Sequence, residues 1–369
     1  MKNNEDVKKV KYVHLLWHNE AKFNSRVVAM IHDPATDFNS QEHLFVTPHQ
    51  LVYDAIKDYD NVVLDNTYGS RKAAGYVNRY APQCEWLFLH SMCSPLEALK
   101  IKGKCWHKIV HRTWGGDLSY DLAKNTGVKK FAKRIINKIF AWRMKHVRLI
   151  GVANTVDILN VQEQIGNVAT HIMPYPVKDS DTILLEEIAK PKKSDGKLCV
   201  MIGHSGHPIN NHKELLDALY RFRDENIQIY IILAYGYPDY IEEVKTYGSR
   251  LYGEKITFIE EMLPYDRYVQ LINEMDIAFF DGVQSYALGN IYIFKVLRKK
   301  IFLHEDGIIR RAFDLEKIPY VCSSQLADLS FEEFAKPIDY SEETRNKLIP
   351  IPYEKSVETW HDILNVLDS

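Results

Sequence analysis

Short apolar runs alternate with amphipathic stretches along most of the chain. In the first half the pattern predicts strands over residues 11–17, 26–31, 61–65, 86–90, 108–114 and 149–153, with helices such as 70–80 and 94–102 between them. Unbroken runs such as Trp86-Leu87-Phe88-Leu89 suit strands covered on both faces, as in a parallel sheet flanked by helices. After Pro174-Tyr175-Pro176 the chain turns polar, and residues 177–196 read as an interdomain connection. A second series follows, with strands expected at 198–203, 228–234, 256–260, 276–280, 300–304 and 320–322. Helices are expected at 211–222, 239–252, 265–275, 288–299 and 331–336. The expected domains are therefore 1–176 and 197–352, each Rossmann-like, with a last amphipathic segment from 353 packing back on the first domain. Two such domains facing each other would leave a cleft lined by the carboxyl ends of both sheets, where open α/β folds bind ligands.

Composition narrows the function classes. With 369 residues, 46% hydrophobic and 26% charged, the chain can bury a sizeable core, and its net charge of −2 argues against a surface devoted to nucleic acid. The five cysteines never form a Cys-x-x-Cys pair, so neither a disulfide framework nor a zinc site is written, and a reducing cytoplasm fits. The polar N-terminus followed by a short apolar stretch does not read as a signal peptide, and no run reaches the roughly 18 residues of a spanning helix.

Basic character is local. From Leu122 to Val156 there is no Asp or Glu, while Lys124, Lys129, Lys130, Lys133, Arg134, Lys138, Arg143, Lys145 and Arg148 are all cationic. Val128, Phe131, Ile135, Ile139 and Trp142 recur at spacings of three or four, which sets one apolar stripe beside a cationic face on a helix over 124–148. Such a helix either turns its stripe to the core or lies in the interface of an anionic membrane. We expect the second, with Lys129, Lys130, Lys133, Arg134, Lys138, Trp142 and Arg143 as contacts.

Four segments could carry chemistry. Met201-Ile202-Gly203-His204-Ser205-Gly206-His207-Pro208-Ile209-Asn210-Asn211-His212 links a strand to a helix, and Gly203, Ser205, Gly206, Asn210 and Asn211 could present amides to a diphosphate. It is equally a tight turn capped by asparagine. It is not a Walker loop, and no Gly-x-Gly-x-x-Gly fingerprint occurs, which disfavours ATP hydrolysis and nicotinamide chemistry. His204, His207 and His212 lack a nearby carboxylate or cysteine, so no metal is expected; Asp179-Ser180-Asp181 reads as solvated linker charge. Gln284-Ser285-Tyr286-Ala287-Leu288-Gly289-Asn290 opens a second helix, whose first amides at Leu288, Gly289 and Asn290 would suit phosphate. Thr113-Trp114-Gly115-Gly116-Asp117 presents a carboxylate at a strand end, where Asp117 either caps a helix or accepts a proton from an attacking hydroxyl. His18 and His90, at neighbouring strand ends, are either structural or suited to proton transfer near neutral pH.

The Trp114-to-Asp117 turn and the Gly203-x-Ser205-Gly206-x-Pro208-x-Asn210-Asn211-His212 segment together resemble glycosyltransferase family 56. These are the Fuc4NAc transferases that extend undecaprenyl-diphosphate-linked sugars. Family-like spacing continues through Tyr237, Gly248, Tyr252-Gly253, Leu263 and Tyr265-Asp266 to Asp276–Phe280 and Gln284–Gly289, over roughly residues 86 to 304. The resemblance implies a GT-B architecture, two Rossmann-like domains facing across a cleft, and an enzyme that needs no cofactor. Its donor would be a nucleotide sugar, TDP-Fuc4NAc foremost, bound mainly by the C-terminal domain, with Glu260 or Glu261 near base or ribose. The acceptor would be a lipid-linked saccharide met by the N-terminal domain at the cytoplasmic face of the membrane, with Asp117 activating it and His18 and His90 behind. A nucleotide-sugar epimerase on the same architecture, and a non-catalytic sugar-nucleotide-binding partner, are the alternatives.

Overall fold

The computed structural model describes residues 10–19, 21–91, 94–114, 118, 126–176, 183–184, 186–187, 190, 196–348 and 353–369. The chain divides into two compact units, Met1–Val177 with Pro352–Ser369, and Lys178–Ile351.

Unit 1 contains a parallel sheet in the order β3-β2-β1-β4-β5-β6-β7. Its strands are β1 (Val10–Leu16), β2 (His43–Thr47), β3 (Val62–Leu64), β4 (Cys84–His90), β5 (Ile109–Arg112), β6 (Leu149–Val152) and β7 (Thr170–Ile172). The helices between them are α1 (Ala21–His32), α2 (Gln50–Ile56), α3 (Ala73–Tyr80), α4 (Pro95–Ala98), α5 (Gly127–Met144) and α6 (Thr155–Gln164). Alternation along β1 sorts the two faces. Val13 and Leu15 join Leu87, Leu89, Ile109 and Ile150 in one core cluster. Tyr12 and Leu16 turn the other way, into a cluster with Val27, Val28 and Ile31 of α1. That second face is also covered by the C-terminal helix of the chain, Tyr353–Asp368, through Val357, Trp360, Ile363 and Leu367.

Unit 2 holds a six-stranded parallel sheet in the order β10-β9-β8-β11-β12-β13. It comprises β8 (Leu198–Ile202), β9 (Ile227–Ile232), β10 (Ile256–Ile259), β11 (Ile277–Phe280), β12 (Lys300–Leu303) and β13 (Val321–Cys322). Around it lie α7 (His212–Leu219), α8 (Pro238–Tyr252), α9 (Tyr265–Glu274), α10 (Leu288–Val296), α11 (Ile308–Glu316), α12 (Phe331–Ala335) and α13 (Glu342–Lys347); the C-terminal helix of unit 1 is α14. In both sheets the strand order reverses beside the first strand, between β1 and β4 and between β8 and β11. The carboxyl ends at such a reversal are where open α/β sheets bind ligands.

Several sequence expectations need correction. Residues 26–31 are not a strand but part of α1, where Asn24, Val27, Val28 and Ile31 are buried at helical spacing together with Met30. Strands β2 and β7 and helices α2, α6, α11 and α13 were not expected at all. Part of the supposed connection packs on unit 2: Leu184 is buried, and Glu187 Oε1 accepts a hydrogen bond from Asn273 Nδ2 at 2.9 Å.

Candidate active site

In unit 1 the ends of β1, β4 and β5 carry an aromatic cluster. His18, just past β1, stacks on Trp114 past β5, with ring centroids 4.4 Å apart and planes 10° apart. Asn24 Nδ2 donates to the His18 carbonyl oxygen at 2.7 Å, which ties that turn to α1. Trp114 Nε1 donates to the Tyr175 hydroxyl at 3.0 Å. Phe23 closes the cluster, edge-on to Trp114 at 5.2 Å. Asp117, with Gly115 and Gly116, lies outside the described residues.

His90 is brought to this cluster but is not offered to a ligand. It is fully buried. Its Nε2 lies 3.1 Å from His14 Nδ1, and its Nδ1 lies 3.4 Å from the Tyr175 hydroxyl. His14 continues the line to His43, with Nε2 and Nδ1 2.9 Å apart; the direction of each bond depends on the tautomers. Burial pushes the His90 pKa down to about 3, with the positive charge of Arg112 adding to the effect. His90 is thus a neutral, enclosed imidazole with both nitrogens engaged. The three histidines were invisible as a group in sequence because only strand register aligns β1, β2 and β4.

Along α5 the expected stripe faces solvent, not core. Val128 is 84% exposed, Phe131 64% and Trp142 54%, with Ile135 and Ile139 also exposed. The core-facing anchors are Phe140 and Met144. Lys129, Lys130, Arg134 and Lys138 are exposed around the stripe, Lys133 and Arg143 half-buried. No helix among the described residues is long and apolar enough to cross a membrane.

In unit 2 the loop after β8 is built largely to hold itself. Gly203 has a φ of +66°, and a Cβ there would lie 2.7 Å from His212 Nε2. A Cβ on Gly206 would lie 2.2 Å from Ile241 Cγ1. The Gly206 amide donates to the Tyr235 carbonyl at 2.7 Å, stitching this loop to the one after β9. Asn210, fully buried, bonds the His204 ring at 2.9 Å and donates to the Ser205 and His207 carbonyls at 2.9 and 3.1 Å. Ser205 is likewise fully buried. Of the donor contacts expected here, the Gly203 and Gly206 amides are bonded within the protein and the Ser205 and Asn210 side chains are enclosed, so these groups brace the loop. Asn211, in the left-handed region, donates from Nδ2 to the Asp281 carbonyl at 2.7 Å, which joins the loops after β8 and β11.

Leu288, Gly289 and Asn290 fare differently. They form the first turn of α10, whose N-cap Ala287 supplies no side-chain bond. The amides of a first turn have no intrahelical acceptor and carry the positive end of the helix dipole. A Cβ built on Gly289 meets nothing within 4 Å, so this turn is uncrowded at that position. In the loop after β9, Tyr235 and Tyr237 are about half exposed, and His207 packs edge-on to Tyr237 at 4.7 Å. These tyrosines were not singled out as ligand contacts in sequence, although Tyr235-Gly236-Tyr237-Pro238 following an apolar strand is a usable signal.

Glu260 and Glu261 are not brought to α10. They follow β10, the edge strand, three strand positions from β11, or about 14 Å at ordinary sheet spacing. Glu260 is moreover paired with Lys245 at 2.8 Å. The three histidines of the β8 loop diverge, since His204 bonds Asn210 while His212 Nδ1 bonds the Tyr240 hydroxyl at 3.2 Å. Among the described residues no three His, Cys, Asp or Glu side chains are placed to hold a metal.

Comparison with known proteins places this geometry. The family described as 4-alpha-L-fucosyltransferase glycosyl transferase group 56 matches residues 10–365. Among solved structures, a glycosyltransferase from Rickettsia africae is similar, with 11% identity over 98% of this chain and 99% of that one, at a TM-score of 0.65. Anabaena Alr3699/HepE, solved with UDP and glucose, shares 11% identity over 96% and 99% of the two chains, at a TM-score of 0.61. Sucrose-phosphate synthase from Thermosynechococcus elongatus shares 9% over 97% and 96%, at 0.57.

Proposed function

The chain belongs to glycosyltransferase family 56 and is a nucleotide-sugar glycosyltransferase with the GT-B fold; from that premise we propose a more specific reaction. It moves an amino-dideoxy sugar of the Fuc4NAc type from thymidine diphosphate to a lipid-linked saccharide, working as a peripheral protein at the inner face of the membrane for surface polysaccharide synthesis. Unit 2 binds the donor and unit 1 the acceptor. The diphosphate sits on the Leu288, Gly289 and Asn290 amides of α10, and the exposed rings of Tyr235 and Tyr237 offer a stacking surface for the base. As the new glycosidic bond forms, the acceptor hydroxyl gives its proton to Asp117, the sugar–phosphate bond breaks, and TDP leaves with its charge stabilised by helix-end amides.

The observation that carries the lipid side of this reading is α5, whose apolar stripe meets solvent inside a field of cations. An exposed stripe of that size on a soluble unit marks an interaction surface, and the surrounding charge selects an anionic one, at roughly 1 kcal/mol for each basic residue near the surface. Co-sedimentation with vesicles tests it. The chain is expected to bind vesicles rich in anionic lipid, to ignore zwitterionic ones, and to lose binding in a Phe131→Ser, Trp142→Ser double variant. Equal recovery of the parent and the double variant on anionic vesicles would remove α5 from this role.

A further inference from the structure

Arg112, the last residue of β5, lies in the interior of unit 1 and is only 4% exposed. Its Nη1 donates to the Thr113 carbonyl oxygen, and its guanidinium carbon lies 4.7 Å from the centre of the Tyr175 ring. Its Nε is buried without a hydrogen-bond partner among the described residues. A guanidinium keeps its charge at any pH the protein meets, and a buried cation without a counter-ion is costly.

The described neighbours supply no negative charge to offset it. His90 is held neutral by burial beside the guanidinium, and His14 and His43 behind it are held neutral by burial as well. Tyr175 is a phenol, and Trp114 can only donate. Nothing among these groups can balance the cation. Arg112 also stands one strand from the β1/β4 reversal, among the carboxyl ends where a ligand of this sheet is expected.

We propose that Arg112 is an anion receptor of unit 1, which holds a carboxylate or phosphate group of the acceptor through the paired Nε and Nη2 donors. These two N–H groups form the side of the fork turned away from Thr113 and match two oxygens of one anion. Tyr175 covers one face of the guanidinium and keeps the fork in its plane. The assignment rests on reading unit 1 as the acceptor side, and it adds that the acceptor presents an anion there.

The test uses the full chain with TDP at saturation, so that the donor site is already filled, at constant ionic strength. Glucuronate, inorganic phosphate and neutral glucose are titrated separately while the melting temperature is read. Glucuronate or phosphate is expected to raise it saturably and glucose not at all. Protection by glucuronate alone identifies a sugar carboxylate as the acceptor group, and protection by phosphate alone identifies the phosphate of the lipid carrier. In Arg112→Gln the protecting anion is expected to bind at least tenfold more weakly, with the shift given by TDP unchanged. Arg112→Lys, which keeps the charge but loses the paired fork, is expected to be weakened in the same direction and answers the question if the glutamine variant does not fold. Protection equal in the parent and both variants, or no protection by either anion, overturns the proposal while leaving the donor reading intact. Absence of any TDP shift together with Arg112-dependent anion protection would instead overturn the donor reading and keep the anion site.

Discussion

Gly206 illustrates how far a residue's type can be read without its task. A glycine in a β-to-α turn invites a ligand-binding reading, yet here it lets the loops after β8 and β9 touch, with Gly206 and Gly236 forming a parallel bridge. The choice depends on which backbone arrives opposite, and sequence does not show that. The buried histidines lead to a measurable consequence. The pKa values of His43, His90 and His212 are pushed down to about 3 and that of His204 to about 4, mainly by burial. The unfolded chain titrates its histidines near about 6.5, so between these values it binds more protons than the folded chain, and stability rises with pH. The contribution is complete above pH of about 6.5 and is lost as pH falls through the folded values. The melting temperature is expected to drop from pH 7 to pH 5, each such histidine contributing about 1.4 kcal/mol per pH unit. His43→Phe, which retains an aromatic ring against Tyr12, is expected to make the profile shallower; a flat parent profile would show that these rings are not kept neutral. At Asp117, replacement by Asn is expected to reduce turnover by about a hundredfold or more with TDP affinity within about twofold, and full activity in that variant would exclude it as the proton acceptor.

Elements were legible where their periodicity was unambiguous. Five strands of unit 2 lie inside the stretches expected from apolar runs and β9 starts one residue before its own, whereas the Val27–Ile31 run of α1 is dense enough in apolar residues to imitate a strand. In α5 the stripe itself was readable, but its direction was not, since the same spacing serves a core and a membrane. The burial of Phe140 and Met144 on the other side shows that the stripe is not the core-facing side. The role given to the start of α10 has an equally local test. Gly289→Asp places a carboxylate where nothing crowds a side chain, and an acid in a first turn favours the helix itself. The variant is expected to melt within a degree or so of the parent yet to bind TDP at least about tenfold more weakly, as two anions compete for the same amides. Unchanged TDP affinity, measured by calorimetry, would move the diphosphate elsewhere.

At the scale of the whole molecule, two parallel sheets and a returning C-terminal helix were foreseeable from the alternation of elements and from the amphipathic spacing of the last segment. What sequence could not supply was strand order. His14, His43 and His90 become one line only because β1 pairs with both β2 and β4. Arg112 is buried at the end of a strand that lies between β4 and β6. The motif resemblance spanned roughly residues 86 to 304, while the family match runs over 10–365 and so takes in the first strand and most of α14. The central claim joins these parts: unit 2 holds an activated sugar that unit 1 passes to an acceptor carried in a membrane. It is tested most directly by measuring release of TDP from TDP-Fuc4NAc in anionic vesicles, with and without a polyprenyl-diphosphate-linked saccharide, alongside the glycosylated lipid formed. The account predicts that release depends on the acceptor and equals the lipid product one for one; release at the same rate without acceptor, or with no lipid product, would contradict it.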